Sequence, residues 1–452
     1  MEFKSVNPYN GDQIATYTAQ TKEEVERVLE RSGEAFKSWR KTPLSERTEL
    51  LKKVGQILRD DVEEYAKMIT LEMGKPISES RAEVNKCAWV CDYYAENASE
   101  FLADEKIKTD ATHSYVKHDP IGTVFAVMPW NFPFWQVFRF AAPTLTAGNT
   151  GILKHAANVF GCAIKIEEIF KKAGYPDHVF QNLIVHHDTS EMIIAHDAVQ
   201  AVTLTGSGGA GAAVAKLAGK NLKKSLLELG GNNSFIVWED ADIDQAVKTA
   251  VTARMLNCGQ SCIAAKRFIL LEGIYEEFIS KFKKAVSELK RGNTMDDSTQ
   301  IGPLARKDLA DQLHSQVERS LEQGAELILG GKQDNCFHEP TILGNVKPGM
   351  PAFDEETFGP LAAMIKAKTI DEAFEFSEKS KFGLGVTVFT KDTDKAMEMA
   401  EKVSDGAYFV NELVKSDPRL PFGGTKRSGY GRELAKEGIM EFINKKTVYV
   451  KN

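Results

Sequence analysis

Val199-Gln200-Ala201-Val202-Thr203-Leu204-Thr205-Gly206-Ser207-Gly208-Gly209-Ala210-Gly211 reads as a strand, a glycine turn and the start of a helix. The β-branched apolar run to Thr205 suits a buried strand, and the small residues from about Ala210 to Lys220 suit a helix. Gly206, Gly208 and Gly211 fit the dinucleotide pattern Gly-x-Gly-x-x-Gly. A glycine turn at a helix N-terminus presents backbone N–H groups to a phosphate. Glu228 follows at the distance where a Rossmann acid would hold a ribose hydroxyl. The other reading of this turn is a tight strand-to-helix connection with no ligand.

The same alternation continues on both sides. Residues 21–105 are helical by spacing, with Val25, Leu29, Phe36 and Trp39 on one face and Leu50, Leu51, Val54 and Leu58 on the next. Strands are expected at 122–128 and 148–154, with helices near 134–147, 159–173 and 189–196. After Gly231 a second series begins: a strand at 235–238, a helix at 242–256, a strand at 267–271 and a helix to Lys290. Strands alternating with helices imply right-handed crossovers and mostly parallel sheets. Two stretches fit neither series. Lys106 to Asp119 is polar and extended, and Lys446 to Lys451 alternates like a strand. The two are expected to pair with each other and to extend from the body, with their edge covered by a second copy of the chain.

At 452 residues the chain exceeds one core. Its 57 basic and 64 acidic residues give a net charge of −7, which argues against nucleic acid or an anionic membrane as partner. No apolar run approaches the roughly 20 residues that span a bilayer. The first residues lack a basic-then-apolar export pattern, so the chain reads as cytoplasmic. Its 6 cysteines form no disulfide framework and no Cys-x-x-Cys pair, and no metal site is expected. Cys87 and Cys91, one helical turn apart, read as core packing.

Cys262, in Gly259-Gln260-Ser261-Cys262, and Glu228, in Glu228-Leu229-Gly230-Gly231, are the chemically suggestive pair. Together they offer a nucleophile and a base to release its product. Cys258, four residues before Cys262, raises a second reading: a reversible disulfide that would silence the thiol.

With Pro129-Trp130-Asn131-Phe132-Pro133, Thr205-Gly206-Ser207, Glu356-Thr357-Phe358-Gly359-Pro360 and Pro421-Phe422-Gly423-Gly424 added in order, the chain resembles the aldehyde dehydrogenase superfamily nearly end to end. Leu153-Lys154-His155-Ala156 and Val414-Lys415-Ser416-Asp417-Pro418-Arg419 are similar to the shorter bacterial succinate-semialdehyde dehydrogenases. The resemblance implies an α/β fold: two Rossmann-like domains plus a small β oligomerisation extension. It places the dinucleotide-binding domain at 1–107 and 123–231, the catalytic domain at 232–433 and the extension at 108–122 and 434–452. It implies NAD(P)-dependent oxidation of an aldehyde by a homodimer or dimer of dimers. Cys262 would be the nucleophile, Glu228 the base that activates water, and Asn131 an oxyanion donor. That role for Glu228 displaces the ribose reading. Cofactor contacts would come from Trp130, Lys154, Ala157, Ser207, Gly208, Leu229, Glu356 and Phe358.

Two departures bear on specificity. Strict NAD users of the family often carry Glu at the Ala157 position; without it NADP should be tolerated, although Ala offers no donor to a 2′-phosphate. For a substrate carboxylate, Arg139 and Arg419 are the candidate partners, while a second arginine of some relatives is Leu256 here. Trp135 would instead build an apolar tunnel for a broader range of aldehydes. A CoA-acylating relative and a non-catalytic binding relative are the other classes; the presence of Glu228 and of Cys262 with Asn131 argues against each.

Overall fold

In the computed structural model, which describes residues 2–452, the chain folds around two sheets. The first has six strands, in the order Gly429–Tyr430, Lys224–Glu228, Val199–Thr205, Thr123–Met128, Thr150–His155, Phe180–Asn182. All run parallel except Gly429–Tyr430. Thr205 pairs with Glu228 and Met128 with His155, so the carboxyl ends of four strands finish along one edge. Strand order reverses between Thr123–Met128 and Val199–Thr205. A crevice at such a switch point is where open α/β sheets bind ligands. Pro129-Trp130-Asn131 leaves one of these strands and Gly206-Ser207 leaves the other.

The second sheet has seven strands, and its centre is Ala265–Leu271, flanked by Asn233–Val237 and Leu361–Ala367. All seven residues of Ala265–Leu271 are buried, as a strand covered on both faces requires. Each sheet has its own aromatic core. Phe134, Phe138 and Phe170 pack with Trp39 and Tyr94 beside the first; Phe235, Phe268, Phe278 and Phe282 pack beside the second. Cys87 and Cys91 are buried in the first core, on the long helix Ile77–Phe101.

The two polar stretches do pair with each other. Ile443–Val450 runs antiparallel to His113–Pro120 over eight register positions, and Glu105–Lys106 adds a third strand. Lys446 and Asp119 form an ion pair across them.

The carboxy-terminal part departs from the expected layout. Thr425–Lys426 pairs with Phe382–Gly383 beside the second sheet, but Gly429–Tyr430 joins the edge of the first. The helix Ala435–Met440 packs on the helix Trp135–Thr146, not on the extension. Leu434 and Ile439 are the cause: both are buried in the first core. The three-stranded extension therefore takes up the chain again only at Ile443.

Candidate active site

The thiol sits on a loop whose backbone is held in an unfavourable shape. The helix Ile243–Met255 ends just before Asn257 and Cys258, which take φ of 55° and 53°, and Gly259 follows at φ 72°. Two consecutive non-glycine residues in the left-handed region cost about 1–3 kcal/mol each and persist only where the surroundings enforce them. At Gly259 a Cβ would run into the Arg254 guanidinium and the Gly359 carbonyl.

The enforcing groups are buried cations and amides. Arg254 donates to the carbonyls of Gly259 (2.7 Å), Ala265 (3.0 Å) and Gly359 (2.5 Å). Lys266 Nζ donates to the carbonyls of Ser261 (2.9 Å) and Cys262 (2.7 Å) and lies 3.5 Å from Glu356. Gln260 is held from both ends, by Asn257 and by the Ala305 N–H. The Asn257 N–H donates to Glu79 at 2.8 Å. Arg254 lies two positions before Leu256, the place of the second arginine in some relatives, so by helix spacing it faces elsewhere, and the motifs give Lys266 no role. The one hint is their nearness to Cys262 in the chain, eight residues before it and four after it.

Asn131 is oriented by its neighbours. Its Oδ1 accepts from Gln136 Nε2 at 3.0 Å, and its Nδ2 donates to the Gln260 carbonyl at 2.9 Å. An amide nitrogen has two protons, so one remains for an incoming oxygen. The Asn257 side chain locks the same corner by donating to the Asn131 carbonyl at 2.7 Å.

Two cavities meet at Cys262. One, of about 540 Å³, is walled by Trp130, Ser207, Leu229, Glu356 and Phe358 at the switch point of the first sheet. The other, of about 330 Å³, is walled by Phe132, Trp135, Arg139, Leu256, Ser416 and Phe422. Cys262 and Gln136 line both.

Of the expected cofactor residues, Lys154, Ala157 and Gly208 lie outside the walls of the first cavity. They sit at the carboxyl end of the strand Thr150–His155, in the short turn beyond it, and at the first position of the helix Gly208–Lys220. The cavity suits a dinucleotide on its own features. Ser207 caps that helix by accepting the Ala210 N–H, and Gly208 and Gly209 border open space. Trp130 and Phe358 stand edge to face at 5.8 Å, and the carboxylate of Glu356 accepts the Gly231 N–H at 2.9 Å.

Glu228 lines neither cavity. Its carboxyl is buried among Gly423, Arg139 and Glu433, and burial, then the Glu433 charge, raise its pKa well above the carboxylate range. The close approach of Gly231 to the Cys262 carbonyl, where a Cβ would stand 2.5 Å away, explains why the acid is followed by glycines. Burial also pushes the Cys262 thiol up to about 11, against the pull of Lys266 and Arg139.

The substrate-side expectations change most. Arg139 reaches the second cavity, but it forms a buried ion pair with Glu433, donates to Thr205 at 3.3 Å and covers the Phe422 ring. Its charge is already answered. Arg419 is not in the cavity: it is exposed, pairs with Asp417 at 2.7 Å and lies over Trp89. Its loop turns it outward, because Asp417 holds both its backbone N–H and its guanidinium. Trp135 does line the cavity. Cys258 is turned away from Cys262: its Sγ donates to the Gly302 carbonyl at 3.2 Å, inside the second core. That placement removes the support for the disulfide reading.

The sequence profile of the aldehyde dehydrogenase family matches residues 1–448. The chain belongs to that family. The dehydrogenase is 47% identical over 453 residues to a Synechocystis protein named probable succinate-semialdehyde dehydrogenase (NADP+), covering 100% of both. It is 46% identical to a succinate semialdehyde dehydrogenase (NAD(P)+) of Escherichia coli, covering 98% of this chain and 97% of that one. Among solved structures, a succinic semialdehyde dehydrogenase from Streptococcus pyogenes in complex with NADP+ superposes with a TM-score of 0.97, at 38% identity and full coverage of both chains.

Proposed function

We propose that this dehydrogenase oxidises succinate semialdehyde to succinate with NADP or NAD. The observation that carries the proposal is the position of Cys262, the thiol at which the two cavities meet. Cofactor on one side and aldehyde on the other would both reach it. The names of the relatives at 47% and 46% identity supply the substrate and the cofactor range. NADP is favoured further by Ala157, which puts no carboxylate near a 2′-phosphate, and by Lys154, which can pair with one.

The chemistry follows from the residues. Cys262 gives its proton to solvent water and its sulfur adds to the aldehyde carbon. The aldehyde oxygen becomes an oxyanion that accepts from Asn131 Nδ2 and from the Cys262 N–H, donors that are in place beforehand. A dinucleotide held by Trp130, Ser207, Leu229, Glu356 and Phe358, with Lys154, Ala157 and Gly208 beyond, supplies the hydride acceptor. Departure of hydride leaves the acyl group on Cys262 as a thioester. For hydrolysis Glu228, buried behind the cavity walls, has to ionise and turn toward the thioester, where it takes a proton from water as the water oxygen attacks the carbonyl and Cys262 leaves as thiolate. Burial favours the protonated form of Glu228, and only once ionised is it a stronger proton acceptor than an ordinary carboxylate.

Rates for succinate semialdehyde and for butanal, each with NADP and with NAD, test the proposal. A clear preference for the acid aldehyde is expected, and equal rates would defeat it in favour of a broad aliphatic or aromatic enzyme. Glu228→Gln should give a burst of NADPH followed by turnover slowed about 10²-fold or more. A burst-free variant with normal turnover would remove Glu228 from deacylation.

The same proposal extends to assembly and location. The outer edge of Ile443–Val450 carries the half-exposed Tyr449 and Val450, and a second copy covering it makes the homodimer, or the dimer of dimers. Light scattering reads this directly. Six free cysteines suit a reducing compartment, and we place the enzyme in the cytoplasm.

A further inference from the structure

The helix Ile77–Phe101 lays Glu79, Glu83 and Lys86 along one stripe, and all three border the substrate-side cavity. Among the charges around that cavity, one cation is left over. Glu83 pairs with Lys75 at 2.5 Å, Arg139 pairs with Glu433, and Lys415 pairs with Glu412 at 3.0 Å. Glu79 is turned to the thiol loop, where it accepts the Asn257 N–H. Among the described residues no carboxylate oxygen lies within 4.0 Å of the Lys86 ammonium.

Lys86 is nonetheless held in place. Its Nζ donates to Ser416 Oγ at 2.9 Å and rests over the Trp135 ring at 4.3 Å from the centroid. Trp135 Nε1 donates to the same Ser416 oxygen at 3.1 Å. A hydroxyl has two lone pairs and one proton, so Ser416 has its proton left to give, and the ammonium has two. Those spare donors belong to a cavity with apolar walls at Phe132, Leu256 and Phe422, where an anion has little else to bind. Burial, then the Arg139 charge, lowers the Lys86 pKa to about 8, as befits a cation still lacking its partner.

We propose that Lys86, positioned by Ser416 and Trp135, receives the distal carboxylate of the substrate. It supplies the charge that Leu256 does not provide and that Arg139 commits to Glu433. This rests on the reading that the substrate is a carboxylate-bearing aldehyde.

The test is the ratio of kcat/KM for succinate semialdehyde to that for butanal, in the wild type, Lys86→Met and Lys86→Arg. The Met variant should lower the ratio by about ten- to a hundred-fold, chiefly through KM for the acid aldehyde, and the Arg variant should restore most of it. A wild-type preference that survives intact in Lys86→Met overturns the role of Lys86 and leaves the substrate reading standing. No preference in the wild type sinks the substrate reading itself. Should the Met variant not fold, Lys86→Gln, which keeps a polar head without charge, replaces it, with the same loss expected and the same intact preference overturning the role.

Discussion

The loop that carries Cys262 and the turn that carries Ser207 serve the same cavity and are built in opposite ways. The first is over-determined. Two left-handed residues are pinned by Arg254, Lys266 and Gln260, and even a methyl group at Gly259 has nowhere to go. The second is open. Gly208 and Gly209 would each accept a Cβ without meeting any atom within 4 Å. A nucleophile must stand at a fixed point relative to its oxyanion donors, because a misplacement of about 1 Å can cost 10²-fold in rate. The Ser207 turn, which we propose holds a phosphate, only has to offer N–H groups.

Removing the main fastener should give the largest effect. Arg254→Met leaves three buried carbonyls without a donor and should cost about 3–5 kcal/mol in urea unfolding, with activity lost alongside. A fully stable, active variant would show that the loop holds its shape unaided. The next effect probes the thiol. A Cys262 pKa of about 11 makes the resting group neutral, so its alkylation by iodoacetamide without cofactor should rise about tenfold per pH unit from 7 to 10. A rate that levels off near pH 8 would mean a resting thiolate, and burial would not be the governing influence. The smallest effect belongs to the open side. Gly209→Ala should raise stability by about 0.5 kcal/mol, seen as a higher melting temperature, because a helix position gains alanine with no collision. A loss of stability would show that the turn is less free than its surroundings.

What the sequence reveals about these regions divides along similar lines. The strand Val199–Thr205 is legible because a β-branched run stops at Gly206, and the observed bounds agree. The pairing of His113–Pro120 with Ile443–Val450 is legible because neither stretch fits the two alternating strand–helix series. Asn131, Cys262 and the walls of the first cavity come together from motifs far apart in the chain. Arg254 escapes notice because its partners include Gly359, more than a hundred residues away, and an arginine near a helix end looks like a surface charge. Lys86 escapes for a related reason: what distinguishes it is a missing carboxylate, which only three-dimensional neighbours can reveal. Arg419 misleads because its nearest partner, Asp417, sits two residues away and claims it locally. The return of Gly429–Tyr430 to the first sheet leaves no pattern to find in two residues.

That two-residue strand governs the order in which the enzyme becomes whole. Gly429 pairs with Glu228, so the edge beside the proposed base is supplied by residues made some two hundred positions later. On the ribosome, the earlier strands can emerge and stack while the second sheet is still being synthesised. The base stays uncovered until the last part of the chain has threaded back past it. A chain cut before Gly429 would lack the strand that closes the sheet edge beside Glu228.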